Sequence, residues 1–273
     1  MNDLFSVKDQ IVVITGAGGA LAGSAARHLA SQGAITVLLG RTLSKLEAIA
    51  QEIRSFSPEA VTLPVVADVL DREALESAKD QVISRFGRID TLINGAGGNM
   101  PGATITPDKT FFDLDPTALR EVLDLNLTGT ILPTLVFAEP MNAAARGSIV
   151  NFSSVSATRA LSRVIGYSAA KSGVENFTRW LAVELGRKSS GGIRVNAVMP
   201  GFFLGDQNRA LLTNPDGTLT ARGNTIVGMT PFGRFGEASE LNGAIQYLIS
   251  PSASFVTGTV LTVDGGFTAF SGV

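Results

Sequence analysis

Tyr167 and Lys171 are spaced for proton chemistry. Four positions apart on a helix, their side chains share one face, one turn from each other. A phenol exchanges protons poorly at neutral pH, because its reference pKa is near ~10. A neighbouring ammonium favours the phenolate and pulls that value down. Bringing it to neutrality takes roughly three units, about 4 kcal/mol of differential stabilisation. A lysine supplies that only with a second positive charge or a partly dry site. The spacing alone equally fits an exposed tyrosine and lysine that happen to share a helix face, so the rest of the chain must discriminate.

The elements that would position the pair follow from periodicity. Ala170, Val174, Phe177 and Leu181 recur at helical spacing, and Gly186 followed by Gly191-Gly192 ends that helix. Apolar runs at 11–14, 35–39, 61–66, 90–93, 147–152, 193–199 and 259–263 read as strands. Helices are expected after the first glycine cluster through Leu29, then at 42–54, 71–86, 116–140 and 237–249. Pro133 should kink the helix at 116–140. Residues 202–230 read as a polar, irregular loop over a substrate. The strand–helix alternation predicts an α/β fold, one doubly wound parallel sheet in a single domain over 1–273. Pro64 lacks a ladder donor, which puts the third strand at an edge and suggests the order 3-2-1-4-5-6-7.

Composition removes several classes of function. The 273 residues include no cysteine and one histidine, His28, which lies in an apolar helical pattern. Thiol chemistry, serine–histidine hydrolysis and multi-histidine metal sites are therefore not expected, and no metal is predicted. The formal net charge is -2, with no basic run, so neither nucleic acid nor an anionic membrane surface is an expected partner. No signal peptide is visible and no apolar run is long enough to span a bilayer, so the expected location is cytoplasmic.

The unusual residues fall where the strands end. Thr15-Gly16-Ala17-Gly18-Gly19-Ala20-Leu21 follows the first strand, Asp68-Val69 the third, and Asn94-Gly95-Ala96-Gly97 the fourth. Ser153-Ser154 follows the fifth and Pro200-Gly201 the sixth. Ligands bind at the strand carboxyl ends where the strand order switches, here between strands one and four. Glycine lets backbone approach a diphosphate, and the next helix offers free N–H groups to it. After the second strand, Gly40-Arg41-Thr42 lacks the acidic residue that would take adenosine ribose hydroxyls. Arg41 instead suits a 2′-phosphate, which favours NADP(H) and leaves NAD(H) open.

Together these pieces resemble the short-chain dehydrogenase/reductase family from Ile11 to Val273. Asn126, Tyr167-x-x-x-Lys171, Asn196 and Val263-Asp264-Gly265-Gly266 also fit its pattern. The resemblance implies a Rossmann-like domain and a nicotinamide-dependent enzyme that moves a hydride between cofactor and a secondary alcohol or ketone. Tyr167 would be the general acid/base and Ser154 would hydrogen-bond the substrate oxygen. Lys171 would hold the nicotinamide ribose and tune Tyr167, and Asn126 would hold a water in a proton relay. Thr15, Gly16, Gly18, Gly19, Ala20, Leu21, Arg41, Asp68, Val69, Asn94, Ala96, Gly97, Pro200, Gly201 and Phe203 would line the cofactor. Two departures stand out: Ala20 and Ala22 replace glycines of the family's first turn, and Gly205 replaces a frequent threonine.

Within the family, the segments Asn94–Asn99, Pro200–Phe203, Gln207-Asn208-Arg209 and 266–273 resemble the D-mannonate oxidoreductase (fructuronate reductase)-like members. A sugar acid is then the expected substrate, with Arg163 or Arg209 for its carboxylate and Asn99, Gln207 and Asn208 for its hydroxyls. A 3-oxoacyl thioester or general ketone reductase is the alternative on the same scaffold, and a cofactor-binding sensor without turnover is another. The resemblance also implies a homotetramer paired through the helix at 116–140 and the Tyr167 helix.

Overall fold

The seven apolar runs form strands β1 (Ile11–Thr15), β2 (Ile35–Gly40), β3 (Thr62–Val66), β4 (Thr91–Asn94), β5 (Gly147–Phe152), β6 (Ile193–Pro200) and β7 (Val260–Val263). They make one sheet in the order β3-β2-β1-β4-β5-β6-β7, and every adjacent pair is parallel. The structure, a computed structural model, describes residues 3–205 and 208–272. Pro64 pairs with Leu38 on the edge strand β3, where its missing N–H leaves no central ladder bond unmade.

Helices cover both faces, so each strand is apolar on both sides. Val12 and Ile14 face a core shared with α1 (Ala20–Ser31), α2 (Leu43–Phe56) and α9 (Asn242–Ile249). Ile11 and Val13 face the other core, shared with α3 (Arg72–Phe86), α5 (Gly129–Ala143) and α6 (Ile165–Lys188). This alternation is the period of two expected of a strand. His28 serves α1 structurally, with its Nε2 2.7 Å from Gln246 Oε1 of α9.

The helix expected at 116–140 departs from the sequence reading. It is α-helical over Pro116–Leu123 (α4), π-helical over Asp124–Thr128, and α-helical again over α5. The disturbance lies at Asn126, before Pro133. The Asn126 Nδ2 donates to Val122 O at 2.8 Å, taking the acceptor that a regular turn offers to the Asn126 N–H. The continuous run Pro116–Ala143 is long and apolar enough by composition to cross a membrane, contrary to the sequence reading. It is instead a core helix, with Val136, Phe137 and Met141 buried against the sheet.

The loop expected over 202–230 contains two helices, α7 (Arg209–Leu212) and α8 (Ala221–Gly228). Thr220 caps α8 by accepting from Gly223 N at 3.1 Å. Glycine, asparagine and threonine inside α8 hid its periodicity. The helix expected at 237–249 begins as a 3₁₀ turn, Ala238–Leu241.

Candidate active site

The two glycine turns interlock at the switch in strand order. Thr15 pairs with Asn94 across β1 and β4. The Thr15 hydroxyl accepts from Gly95 N at 3.1 Å and Ala96 N at 3.2 Å, so the first turn holds the second. Gly16 has a φ of 68°, and a Cβ there would meet Ala96 Cα at 2.7 Å. Glycine is required on both counts. At the α1 N-terminus the Gly19 cap offers no side-chain acceptor, and no acidic residue lies in the first turn. The leading N–H groups are therefore available to an anionic ligand. The residues present fit a dinucleotide diphosphate at this point.

The alanines that depart from the family pattern have local compensation. A Cβ at Gly95 would lie 2.8 Å from Ala22 Cβ, so Gly95 is what admits Ala22. A Cβ at Gly205 would lie 3.4 Å from Ala20 Cβ. The Ala20 methyl thus borders the space into which a side chain at 205 would grow.

Ser154, Tyr167, Lys171 and Asn126 come together beside this turn. Ser154 caps the 3₁₀ turn after β5, accepting from Ser156 N at 3.2 Å and Ser156 Oγ at 3.1 Å. With both of those donors aimed at its oxygen, the Ser154 proton is left for another acceptor. Lys171 is buried and donates from Nζ to Phe152 O at 2.8 Å. A Cβ at Gly97 would lie 3.3 Å from Lys171 Nζ and 2.7 Å from Asn126 Oδ1. Gly97 is therefore the gap through which lysine and asparagine approach.

The electrostatics differ from the expected order. Burial raises the Tyr167 pKa, and a hydrogen bond with Ser154 offsets this only in part. Lys171 Nζ lies 5.6 Å from the Tyr167 ring centroid, and its charge does not reverse the direction. Burial also lowers Lys171 itself, to about 8. The pair lacks the second cation that a depressed phenol requires. In the protein alone, the phenol is held protonated, and the lysine keeps its charge at neutral pH but gives up its proton more readily than a free lysine does.

Several predicted site residues spend their side chains on structure. Asn94 is buried and donates to Thr134 Oγ1 at 2.8 Å and Asn151 Oδ1 at 2.9 Å. Asn151 in turn donates to Thr178 Oγ1 at 2.9 Å, a buried polar chain that the sequence reading missed. Asn126 accepts from Gly98 N at 3.0 Å and donates to Gly98 O at 2.6 Å. Its amide ties the second glycine turn to the π turn, and with its bond to Val122 its donors are already engaged. Phe203 is buried in the core shared with α1, where a Cβ at Gly236 would meet its ring at 2.6 Å. Asn208, expected at a substrate hydroxyl, accepts from Gly205 N at 2.9 Å and donates to Phe203 O at 2.8 Å. Both its amide atoms close the loop after β6, because two backbone groups there, Gly205 N and Phe203 O, need partners.

The remaining residues divide by location. Arg41 stands 4.0 Å from Asp68; Arg41 is exposed, Asp68 is half-buried and Val69 is buried. Gly201 N donates to Val263 O at 2.9 Å, and a Cβ at Gly201 would meet Asp264. Asn99 donates to Thr104 Oγ1 at 2.7 Å. Arg163 adopts a φ of 80° in the stretch that leads from Ser154 into α6. Arg209 lies on α7, and its guanidinium makes no hydrogen bond or ion pair among the described residues. Gln207 lies outside the described residues. Ser156 and Arg222 were not singled out from the sequence; Ser156 lies two residues from Ser154, and that spacing was the available signal.

A nucleotide cradle beside a Ser–Tyr–Lys cluster on a seven-stranded parallel sheet defines a dinucleotide-dependent oxidoreductase. Residues 16–268 match the family model described as Enoyl-(Acyl carrier protein) reductase. The chain is 43% identical over 270 residues to the Uncharacterized oxidoreductase UxuB of Bacillus subtilis (strain 168), covering 96% of this chain and 95% of that one. Among solved structures it is 41% identical, with a TM-score of 0.90, to a protein from Haemophilus influenza provisionally assigned as a D-mannonate oxidoreductase and solved with NAD; 98% of each chain is covered. A gluconate 5-dehydrogenase from Burkholderia cenocepacia J2315, in complex with NADP and tartrate, is 30% identical with a TM-score of 0.85, again over 98% of each chain. The chain belongs to the short-chain dehydrogenase/reductase family of NAD(P)-dependent oxidoreductases.

Proposed function

We propose that this protein interconverts a secondary alcohol and a ketone on a sugar acid of the D-mannonate/fructuronate kind. One observation carries the reading: the Ser154 and Tyr167 hydroxyls meet beside buried Lys171, next to an uncapped helix N-terminus at the switch point. The likeness to the D-mannonate oxidoreductase-type structure and to the gluconate 5-dehydrogenase supports the substrate class.

The residues divide the work. The backbone of Gly16, Gly18 and Gly19 with the leading N–H groups of Ala20 and Leu21 holds the diphosphate. Arg41, Asp68 and Val69 border the adenosine, and Ala96, Gly97, Pro200 and Gly201 border the far half of the dinucleotide. When bound, the nicotinamide ring supplies or accepts the hydride. Ser154, with its oxygen turned to Ser156, donates to the substrate oxygen and orients the carbonyl. Tyr167, kept protonated by burial, gives its proton to that oxygen in reduction and takes it back in oxidation. Lys171 holds the ribose and shares in returning the proton to solvent. Acid/base transfer of this kind contributes ~10²–10⁴ in rate, and positioning the reacting carbon contributes much of the rest.

Arg41 supports a preference for NADP(H), although its approach to Asp68 lowers the local positive potential. The exposed apolar residues Leu135 on α5 and Trp180 and Val183 on α6 support a homotetramer paired through these helices. Light scattering at the monomer mass contradicts that assembly. A panel of sugar acids, polyols and ketones with NADH and NADPH, followed by absorbance of the reduced nicotinamide, tests the function. Turnover of neutral ketones with none of any sugar acid overturns the substrate assignment.

A further inference from the structure

The structure brings Arg222 against a distant segment of the chain that carries a second arginine, Arg163. Arg222, in the first turn of α8, donates from Nη1 to Ser162 Oγ at 3.2 Å. Ser162 immediately precedes Arg163, so the two guanidinium-bearing segments meet. Arg163 is fixed there: its backbone is left-handed, with a φ of 80°, and its carbonyl accepts from Ile105 N at 3.0 Å. The two charges act on each other. Burial first, and then the positive charge of Arg163, hold the Arg222 pKa below the usual guanidinium value.

Among the described residues, no acidic side chain neutralises them. Neither arginine forms an ion pair among the described residues. The Arg222 Nε is buried and has no hydrogen-bond partner there. A buried charged donor without an acceptor, beside a like charge, is unfavourable as packing alone. An anion accepting from both guanidinium groups relieves both penalties, and a planar carboxylate matches their fork geometry.

The place links Arg163 to the chemistry, and Arg222 reaches it through Ser162. Arg163 lines a cavity of about 390 Å³ together with Ile105, Phe111 and Ser156. Ser156 donates to Ser154 Oγ at 3.1 Å, so the cavity wall continues into the candidate active site. The space is in the range that small-molecule sites occupy. Arg209, the other arginine considered from the sequence, is not part of this pairing.

We propose that Arg163 and Arg222 together form a carboxylate subsite, which restricts the substrate to hydroxy acids and oxo acids. This rests on reading the cleft as a sugar-acid site. It also goes further, because it assigns the carboxylate to a pair that includes a residue of α8.

The test is isothermal titration of the full-length protein with tartrate as anionic probe. Erythritol serves as the neutral four-carbon control, and inorganic phosphate as a non-carboxylate anion. Tartrate binding is expected in the wild type and is expected to weaken by about tenfold or more in Arg222→Gln and in Arg163→Gln. Arg222→Lys, which keeps the charge but loses the fork, is expected to fall between. Equal tartrate affinity in wild type and both glutamine variants overturns the subsite, as does absence of tartrate binding to the wild type. Phosphate binding as tight as tartrate overturns the carboxylate assignment. Turnover separates the two readings. Loss of tartrate binding in the variants without turnover of any sugar acid supports the subsite and removes the substrate assignment. Turnover of a sugar acid with an unchanged KM in Arg222→Gln does the reverse.

Discussion

Replacing Lys171 by methionine should stabilise the protein at neutral pH while disabling it. Lys171 is almost wholly buried, and burial lowers its pKa from 10.5 to about 8. The unfolded chain therefore binds the proton more tightly than the native state does. Below pH 8 both states are protonated and the whole cost of the buried charge is present, about 3 kcal/mol at 1.36 kcal/mol per unit. Between pH 8 and 10.5 the native lysine is already neutral and the cost fades; above 10.5 it is gone. Against this stands the bond from Nζ to Phe152 O at 2.8 Å, whose loss costs about 1–2 kcal/mol. Lys171→Met keeps most of the volume and removes both effects. The net at pH 7 is a gain of about 1–2 kcal/mol, roughly 2–4 °C in Tm for a chain of this size. In strongly alkaline buffer the sign should reverse, because only the lost hydrogen bond remains. The assay is scanning fluorimetry of both proteins across that pH range, with activity measured in parallel. A stability difference that does not change with pH refutes the reasoning, because it shows that no ionisation of Lys171 is linked to folding.

The other predictions concern the turn, the phenol, the amide and the arginine after β2. Tyr167→Phe should lower kcat by ~10²–10⁴ with an unchanged circular dichroism spectrum; retained turnover places the proton source elsewhere. Because burial raises the Tyr167 pKa, reduction should hold its rate through neutral pH and oxidation should climb toward alkaline pH; stopped-flow rates in both directions that fall together at high pH contradict this. Gly16→Ala places a Cβ 2.7 Å from Ala96 Cα at a left-handed φ. It should cost about 1–2 kcal/mol in backbone conformation alone and weaken dinucleotide binding measured by fluorescence titration. Asn126→Ala removes three hydrogen bonds, to Val122 and twice to Gly98, and should lower urea stability by about 3 kcal/mol. Arg41→Ala should reduce kcat/KM with NADPH more than with NADH, and equal losses exclude a phosphate contact.

The regular part of the fold was legible because its signals are local. Pro64 marks an edge whatever surrounds it, since proline has no N–H to give. Val12, Val13 and Ile14 announce a strand buried on both faces within a few residues of sequence. The π turn at Asn126 escaped, because its cause is a side chain competing with its own backbone for Val122 O. Helix α8 escaped as well, since its stability comes from a Thr220 cap and from packing over the loop, not from periodicity.

From the amino-acid order came the sheet order, the two glycine turns at the switch point and the Tyr167–Lys171 spacing, while Ser154 joined that pair through the family resemblance. Each is a statement about spacing and backbone permissiveness, which neighbours in sequence decide. Only the tertiary structure decided that the amides of Asn94 and Asn208 serve the scaffold, that Tyr167 is held protonated, and that Arg222 bonds Ser162 beside Arg163. Those outcomes depend on desolvation and on which distant groups share a hydrogen bond, and such pairings exist only once the chain has folded.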